Sequence, residues 1–358
     1  RILHHNIDKS LLVAGASTPR PGGGSVTAPM RLVVGDRATT SWEGGRIDLD
    51  DVVRATVEDW FRRHLRFVDP AVHLVLQNEL KPGSAQLGDI FKRAVIGAND
   101  TSAAVGYAPL SETEELVLAA EGFLNSADFK ARHPEAGEDV KVMGCRRGRH
   151  LDLTVAMAFV DRFIPDARTY FARKAEIAGA LEAHLLERRK AVGTIAVHLN
   201  CLDDPDRGDA GMYLTVLGTS AEGADGGQVG RGNRVNGVIP LNRPAGAEAA
   251  AGKNPVSHVG KIYTLLSHRL AGEIHALVPG VEEVYVWLCS RIGRPIGEPL
   301  IASVQLALSR GTALKDVSPA VEAHVRRQLD DIEAFTRELA EGRSEERRVG
   351  KECRSRWS

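Results

Sequence analysis

The chain is poor in cysteine, in net charge and in long apolar runs, and each shortage excludes something. Its 358 residues hold four cysteines, Cys145, Cys201, Cys289 and Cys353. They are widely scattered and none has metal-ligand spacing, so a disulfide framework is not expected, and a reducing, cytoplasmic location is. Net charge is −1, so no global field favours nucleic acid or an anionic membrane as a partner. No apolar run reaches the ~18 residues of a membrane-spanning helix. Neither a signal peptide nor a short repeat is evident. An initiator methionine is missing too. The chain opens on "RILHHNIDKS", already apolar and half-buried in character, which reads as a piece whose N-terminus lies upstream.

What is present is the composition of a soluble globular protein, 43% hydrophobic and 26% charged, with length enough for two or three domains. Helical periodicity runs through "DLDDVVRATVEDWFRRHLRF", where Val52, Val53, Val57, Trp60, Phe61 and Leu65 are expected on one face. "SETEELVLAAEGFLN" opens on Ser111 and Glu114, a capping-box pattern. "RTYFARKAEIAGALEAHLLERRK" and "VSHVGKIYTLLSHRLAGEIHAL" read as long amphipathic helices. "GTIAVHLN", "MYLTVLGT" and "VEEVYVWLCS" alternate with period two and read as strands. Strands come in groups rather than in strict alternation with helices. The pattern predicts an α+β fold with sheets covered on one face, not a doubly wound parallel sheet. Residues 343–358, rich in charge and without apolar periodicity, read as a foreign or disordered tail.

The stretch "GADGGQVGRGNRVNG", Gly223 to Gly237, holds six glycines in fifteen residues, with Asp225, Arg231 and Arg234 among them. Glycine lets backbone approach a ligand closely, and arginine offers a fork of donors suited to phosphate. It is not a Walker A loop, because Asn233 and Arg234 follow Gly232 where Lys and Ser/Thr are needed. It is not a dinucleotide fingerprint either, because Val235 occupies the third glycine position. A plain glycine-rich solvent loop is the competing interpretation. "AAAGKNPVSHVGKIY" follows, with Lys253 and Lys261 each after glycine, and "GEDVKVMG" precedes, with Asp139 and Lys141. Basic residues in several such segments suit a long polyanion such as a triphosphate.

Together "ANDTSAAVGYAPLSETE", "GEDVKVMG", "YLTVLGTSAE", "VGRGNRVNG" and "AAAGKNPVSHVGKIY" resemble the archaeal-type S-adenosylmethionine synthetase family. "ILHHNIDK" and "PGGGSV" fit as well, and the resemblance runs from Arg1 to about Gly342. It implies three similar domains of mixed sheet and helices built from interleaved segments: residues 1–90 with 221–261, 111–220, and 91–110 with 262–342. It also implies a homodimer with active sites between subunits. The implied reaction joins L-methionine to ATP with release of phosphate and pyrophosphate. Magnesium is the implied cofactor, and potassium is left open as a second cation. By resemblance Lys141, Arg231 and Lys253 hold the polyphosphate. Asp139 belongs to the ATP-contacting segment, Asp225 stands where methionine ammonium and nucleoside meet, and Asp100 stands at the substrate end. "LKPGSAQ", with Lys81, Pro82, Gly83 and Ser84, is either a nucleotide-binding loop or a plain Pro-Gly turn.

Some features depart from the family. Its Gly-His-Pro-Asp loop, which supplies a histidine and a magnesium-binding aspartate, would lie upstream of "ILHHN". The chain as it stands is therefore expected to be inactive, and no metal ligand is assigned. His133-Pro134-Glu135 imitates that loop but is expected to be a surface turn. Of His4 and His5, one is expected to be buried and one near the substrate cleft, since neighbours on a strand face opposite ways. Ala14 replaces a glycine of a usual Val-Gly-Gly run. A non-catalytic nucleotide-binding homologue acting as a dimer partner, and another ATP-dependent transferase, are the alternative functions.

Overall fold

The computed structural model describes residues 11–38, 40–42, 44–82, 96–228, 234–246 and 248–343. Its strands are β1 (Leu11–Val13), β2 (Ala16–Thr18), β3 (Ser25–Ala28), β4 (Met30–Ala38), β5 (Ser41–Trp42), β6 (Gly45–Arg46), β7 (Leu74–Pro82), β8 (Ala103–Ala108), β9 (Ala136–Arg147), β10 (His150–Val160), β11 (Thr194–Leu199), β12 (Leu214–Thr215), β13 (Gly227–Gln228), β14 (Val281–Cys289) and β15 (Ile301–Leu308). Its α-helices are α1 (Leu49–His64), α2 (Pro70–His73), α3 (Glu112–Leu124), α4 (Ala127–Arg132), α5 (Ala167–Leu186), α6 (Val259–Leu277), α7 (Leu314–Asp330) and α8 (Ile332–Ala340).

Three sheets carry the fold; among the described residues the second and third each have one apolar core, and the first packs against two. In the first the order is β13-β1-β4-β7, with β1 antiparallel to both neighbours and β4 parallel to β7. Val53 and Phe61 of α1 are buried against it. In the second, β10 is the central strand, antiparallel to β9 and parallel to β11 and then β12. Leu151, Leu153, Val155 and Met157 alternate inward along β10 and meet Leu116 and Leu124 of α3 and Ile177 and Leu181 of α5. In the third, β15-β14-β8 is antiparallel throughout, under α6, with α7 and α8 closing the same core. Grouped strands and mixed pairing make this an α+β fold, as expected.

Local signals explain several boundaries. The capping box forms: Glu114 N donates to Ser111 Oγ at 3.3 Å, and Ser111 N donates back to Glu114 Oε2 at 2.7 Å. Asp48 and Asp166 cap α1 and α5 one way only, their carboxylates accepting from backbone N–H groups of the first turn. Gly106 lets β8 lie directly on α6, since a Cβ there would sit 2.2 Å from backbone atoms of Ser267 and His268.

Four expectations need correction. On α1, Val52 and Trp60 are exposed: Val52 lies about 100° around the helix from Val53 and opposite Phe61, and Trp60 lies at the rim of the apolar stripe, about 100° from Phe61. The helix expected to be amphipathic, α6, is buried all round from Val259 to Ser267, because other elements pack its outer side as well. Only Leu214 and Thr215 of "MYLTVLGT" are strand; the remainder turns toward the site. His133 and Glu135 are buried, not on a surface turn. His133 stacks on Phe129, and Arg173 stands 3.6 Å from the Glu135 carboxylate. His4 and His5 lie outside the described residues.

Candidate active site

Strand β9 sets the first half of the site. Asp139, Lys141 and Met143 share its outward face, while Val140 and Val142 turn toward the core. The entrance to β9 is pressed against the turn after β12. A Cβ on Gly137 would meet Gly218 O at 2.6 Å, and Gly218 itself has φ +84°. Close approach of these two backbones lets Asp139 N donate to Gly218 O at 3.2 Å. The Asp139 carboxylate then accepts from Ser220 N at 3.0 Å and from Ser220 Oγ, both on Oδ2.

A short 3₁₀ turn, Ser220–Gly223, follows and ends in a left-handed residue, Ala224, with φ 68°. That reversal presents Asp225 beside β9. Lys141 Nζ stands 3.6 Å from Asp139 Oδ1 and 3.5 Å from Asp225 Oδ2. Partial burial works against the Lys141 charge, but Asp139, Tyr213 and Asp225 outweigh it and raise its pKa above the usual lysine value. Burial, with the Asp139 carboxylate adding to it, raises the pKa of the Tyr213 hydroxyl. The turn is anchored from behind by Glu222, only 1% exposed. Glu222 accepts from the backbone N–H groups of Val216 and Leu217 and, at 2.9 Å, from Ser17 Oγ.

A second set of residues gathers around the start of α6. Asn99 Oδ1 accepts from Val259 N at 3.1 Å, so "ANDTS" caps this helix and sets the adjacent Asp100 near it. Asp100 Oδ1 accepts from Thr101 N at 2.7 Å, and its carbonyl accepts from Ser290 Oγ at 2.9 Å. Lys253 is buried, with Nζ 3.4 Å from Glu248 Oε2, and its carbonyl accepts from Lys261 Nζ at 3.1 Å. Lys81 and Pro82 end β7, paired in register with Arg37 and Ala38, and Lys81 Nζ stands 3.4 Å from Glu79. Arg231, Gly83 and Ser84 lie outside the described residues.

The structure thus joins Asp139, Lys141 and Asp225 in one cluster and sets Asp100 and Lys253 beside the start of α6. Tyr213, Ser220, Glu222 and Glu248 were not singled out from sequence. The first three lie within or beside the quoted "YLTVLGTSAE", but no spacing rule marks them individually. Among the described residues, no group of three or more His, Cys, Asp or Glu could hold a metal ion, and no helix is long and apolar enough to cross a membrane.

Three helix-covered sheets, with lysines set beside carboxylates near glycine-rich segments, place the chain in the α+β class. Comparison with known proteins narrows the class. The profile of the S-adenosylmethionine synthetase (AdoMet synthetase) family matches residues 1–343. The S-adenosylmethionine synthase of Pyrobaculum aerophilum is 44% identical over 342 residues, covering 94% of this chain and 84% of that protein. That of Methanothermobacter thermautotrophicus is 40% identical over 343 residues, covering 95% of this chain and 85% of that protein. Among solved structures, an unusual S-adenosylmethionine synthetase from Campylobacter jejuni superposes with a TM-score of 0.60 at 15% identity, covering 93% of this chain and 86% of that one. This last likeness speaks to the fold alone. The chain belongs to the S-adenosylmethionine synthetase family.

Proposed function

We propose that the protein makes S-adenosylmethionine from L-methionine and ATP, releasing phosphate and pyrophosphate. Family membership carries the reading, and the structural observation that supports it most is Lys141 held between Asp139 and Asp225. Methionine sulfur, a soft neutral nucleophile, attacks C5′ of the ribose. The triphosphate leaves with about four negative charges, so the protein's main task is electrostatic. Lys141, kept protonated by its neighbours, offers a fixed cation to that anion. Arg231 and Lys253 complete the clamp, with Lys253 exchanging Glu248 for phosphate oxygens. Asp225, more than half exposed, is free to take the methionine ammonium, and Asp100 closes the substrate end. Lys81 through Ser84 would approach the nucleotide from the end of β7.

The described residues do not form a protein cage for a divalent cation. Magnesium, which the family implies, would neutralise charge on the triphosphate, and no step is routed through it. Potassium is given no residue.

The reading extends to organisation. The three sheets, each with apolar packing of its own, support three domains from interleaved segments, although Ala250 and Val259 cluster with the third sheet's core rather than the first's. A homodimer with sites between subunits completes the proposal. Free thiols at Cys145, Cys201 and Cys289 suit a cytoplasmic setting.

The test is to express the protein from its full coding sequence, incubate it with ATP, magnesium and labelled methionine, and follow labelled sulfonium product, phosphate and pyrophosphate; the same preparation serves as parent for every variant. Equimolar formation of all three is expected. Tight ATP binding without product would identify a non-catalytic homologue, and product only with other acceptors would identify a different transferase.

A further inference from the structure

We propose that Ser220 is a positioning residue for this reaction: through Asp139 it fixes where the Lys141 ammonium meets the triphosphate. The proposal rests on the functional reading above and deepens it. Lysine is a flexible point charge on a four-carbon stem, so its place is set by whatever flanks it. The Lys141 side chain is 61% exposed, and one flanking carboxylate, Asp225, is equally exposed and just as free to turn. The other, Asp139, is only 18% exposed. It is therefore the fixed point of the cluster, and what fixes it is Ser220.

Ser220 donates twice to one oxygen of Asp139, from its N–H at 3.0 Å and from its hydroxyl. Two donors on Oδ2 stop the carboxylate rotating and leave Oδ1 directed at Lys141, 3.6 Å away. Both bonds place a neutral donor on an ionised acceptor, a stronger type than a bond between neutral groups. The turn that carries Ser220 is itself held. Ala221 N donates to Thr219 Oγ1 at 3.3 Å, and Glu222 is buried beneath it. Asp139 and Ser220 are 81 residues apart in the chain, so this contact does not serve to build either local element. A serine that only shaped its turn would bond within the turn, as Thr219 does.

Ser220→Ala keeps the backbone donor and removes the hydroxyl. At saturating ATP and methionine its turnover should fall about tenfold, while the KM for methionine stays within about twofold. Ser220→Thr, which restores a hydroxyl, should recover turnover to within about threefold of the parent. The Kd for a non-hydrolysable ATP analogue, measured calorimetrically, supplies a readout besides activity. Ser220→Ala should weaken it severalfold in the parent and leave it unmoved in a Lys141→Ala background, because the hydroxyl acts through Lys141. Thermal midpoints within a few degrees of the parent would exclude misfolding. If Ser220→Ala lowers analogue affinity equally in both backgrounds, or leaves turnover unchanged, the positioning role is overturned. If Lys141→Ala alone changes neither analogue affinity nor turnover, the functional reading of this cluster fails instead, and the role of Ser220 falls with it.

Discussion

Acidification should expose one half-buried imidazole beside the third core. His268 lies on α6 against Tyr107, ring centroids 5.3 Å apart, and shares a small cavity with Arg234, Glu248 and Thr264. Burial lowers its pKa to about 4, and a hydrogen bond with the Tyr107 backbone only partly opposes this. In the unfolded chain the imidazole returns to the ordinary value of about 6.5. Between those two values the unfolded chain binds a proton that the folded chain refuses. His268 therefore contributes stability that is fully present above pH ~6.5 and lost as pH falls toward 4. A gap of about 2.5, at ~1.4 kcal/mol per pH unit, amounts to on the order of 3 kcal/mol. The perturbation is His268→Gln, which keeps a donor and cannot titrate. Urea unfolding of parent and variant is followed by far-UV circular dichroism at pH 7, 5.5 and 4.5, and only their difference is read. The variant should be the less stable at pH 7 and should close most of that gap by pH 4.5. A difference that stays constant over this range would refute the reasoning.

Glu222→Ala strands two backbone N–H groups and the Ser17 hydroxyl in a buried place. At ~1–3 kcal/mol for each unsatisfied donor, the loss should reach about 3 kcal/mol, seen as a lower urea midpoint. A loss below about 1 kcal/mol would mean that water replaces the carboxylate. Arg231→Ala should lower turnover more than tenfold at saturating ATP while the thermal midpoint holds, because a charge-assisted donor to the leaving triphosphate is lost. An unchanged rate would remove Arg231 from the clamp.

Legibility in the sequence followed the range of each interaction. The capping box at Ser111 and Glu114 was readable because both partners lie within three residues. The helices now α5 and α6, and the strand now β14, were readable from periodicity alone. Burial was not. Trp60 and Val52 look like core residues, and His133 and Glu135 look like surface ones, until the packing partners are known. The site divides in the same way. Asp139 and Lys141 share a strand face by their two-residue spacing, so that half was legible. Asp225 meets Lys141 only because the turn after β12 folds back on β9, a geometry that no local pattern encodes. Resemblance to the family named both residues for the site but gave them separate roles and did not pair them. Ser220 was invisible for the same reason, since its partner is 81 residues away.

The most direct test of the account is the turnover of Lys141→Ala. Lys141 is placed by two carboxylates and kept charged, and its proposed work is done as the triphosphate leaves. Removing one such electrostatic stabiliser costs ~10²–10³ in rate, so turnover of labelled methionine at saturating ATP should fall at least a hundredfold with the fold intact. Turnover within about threefold of the parent would contradict the account, because it would move the departing triphosphate away from the cluster formed by Asp139, Lys141 and Asp225.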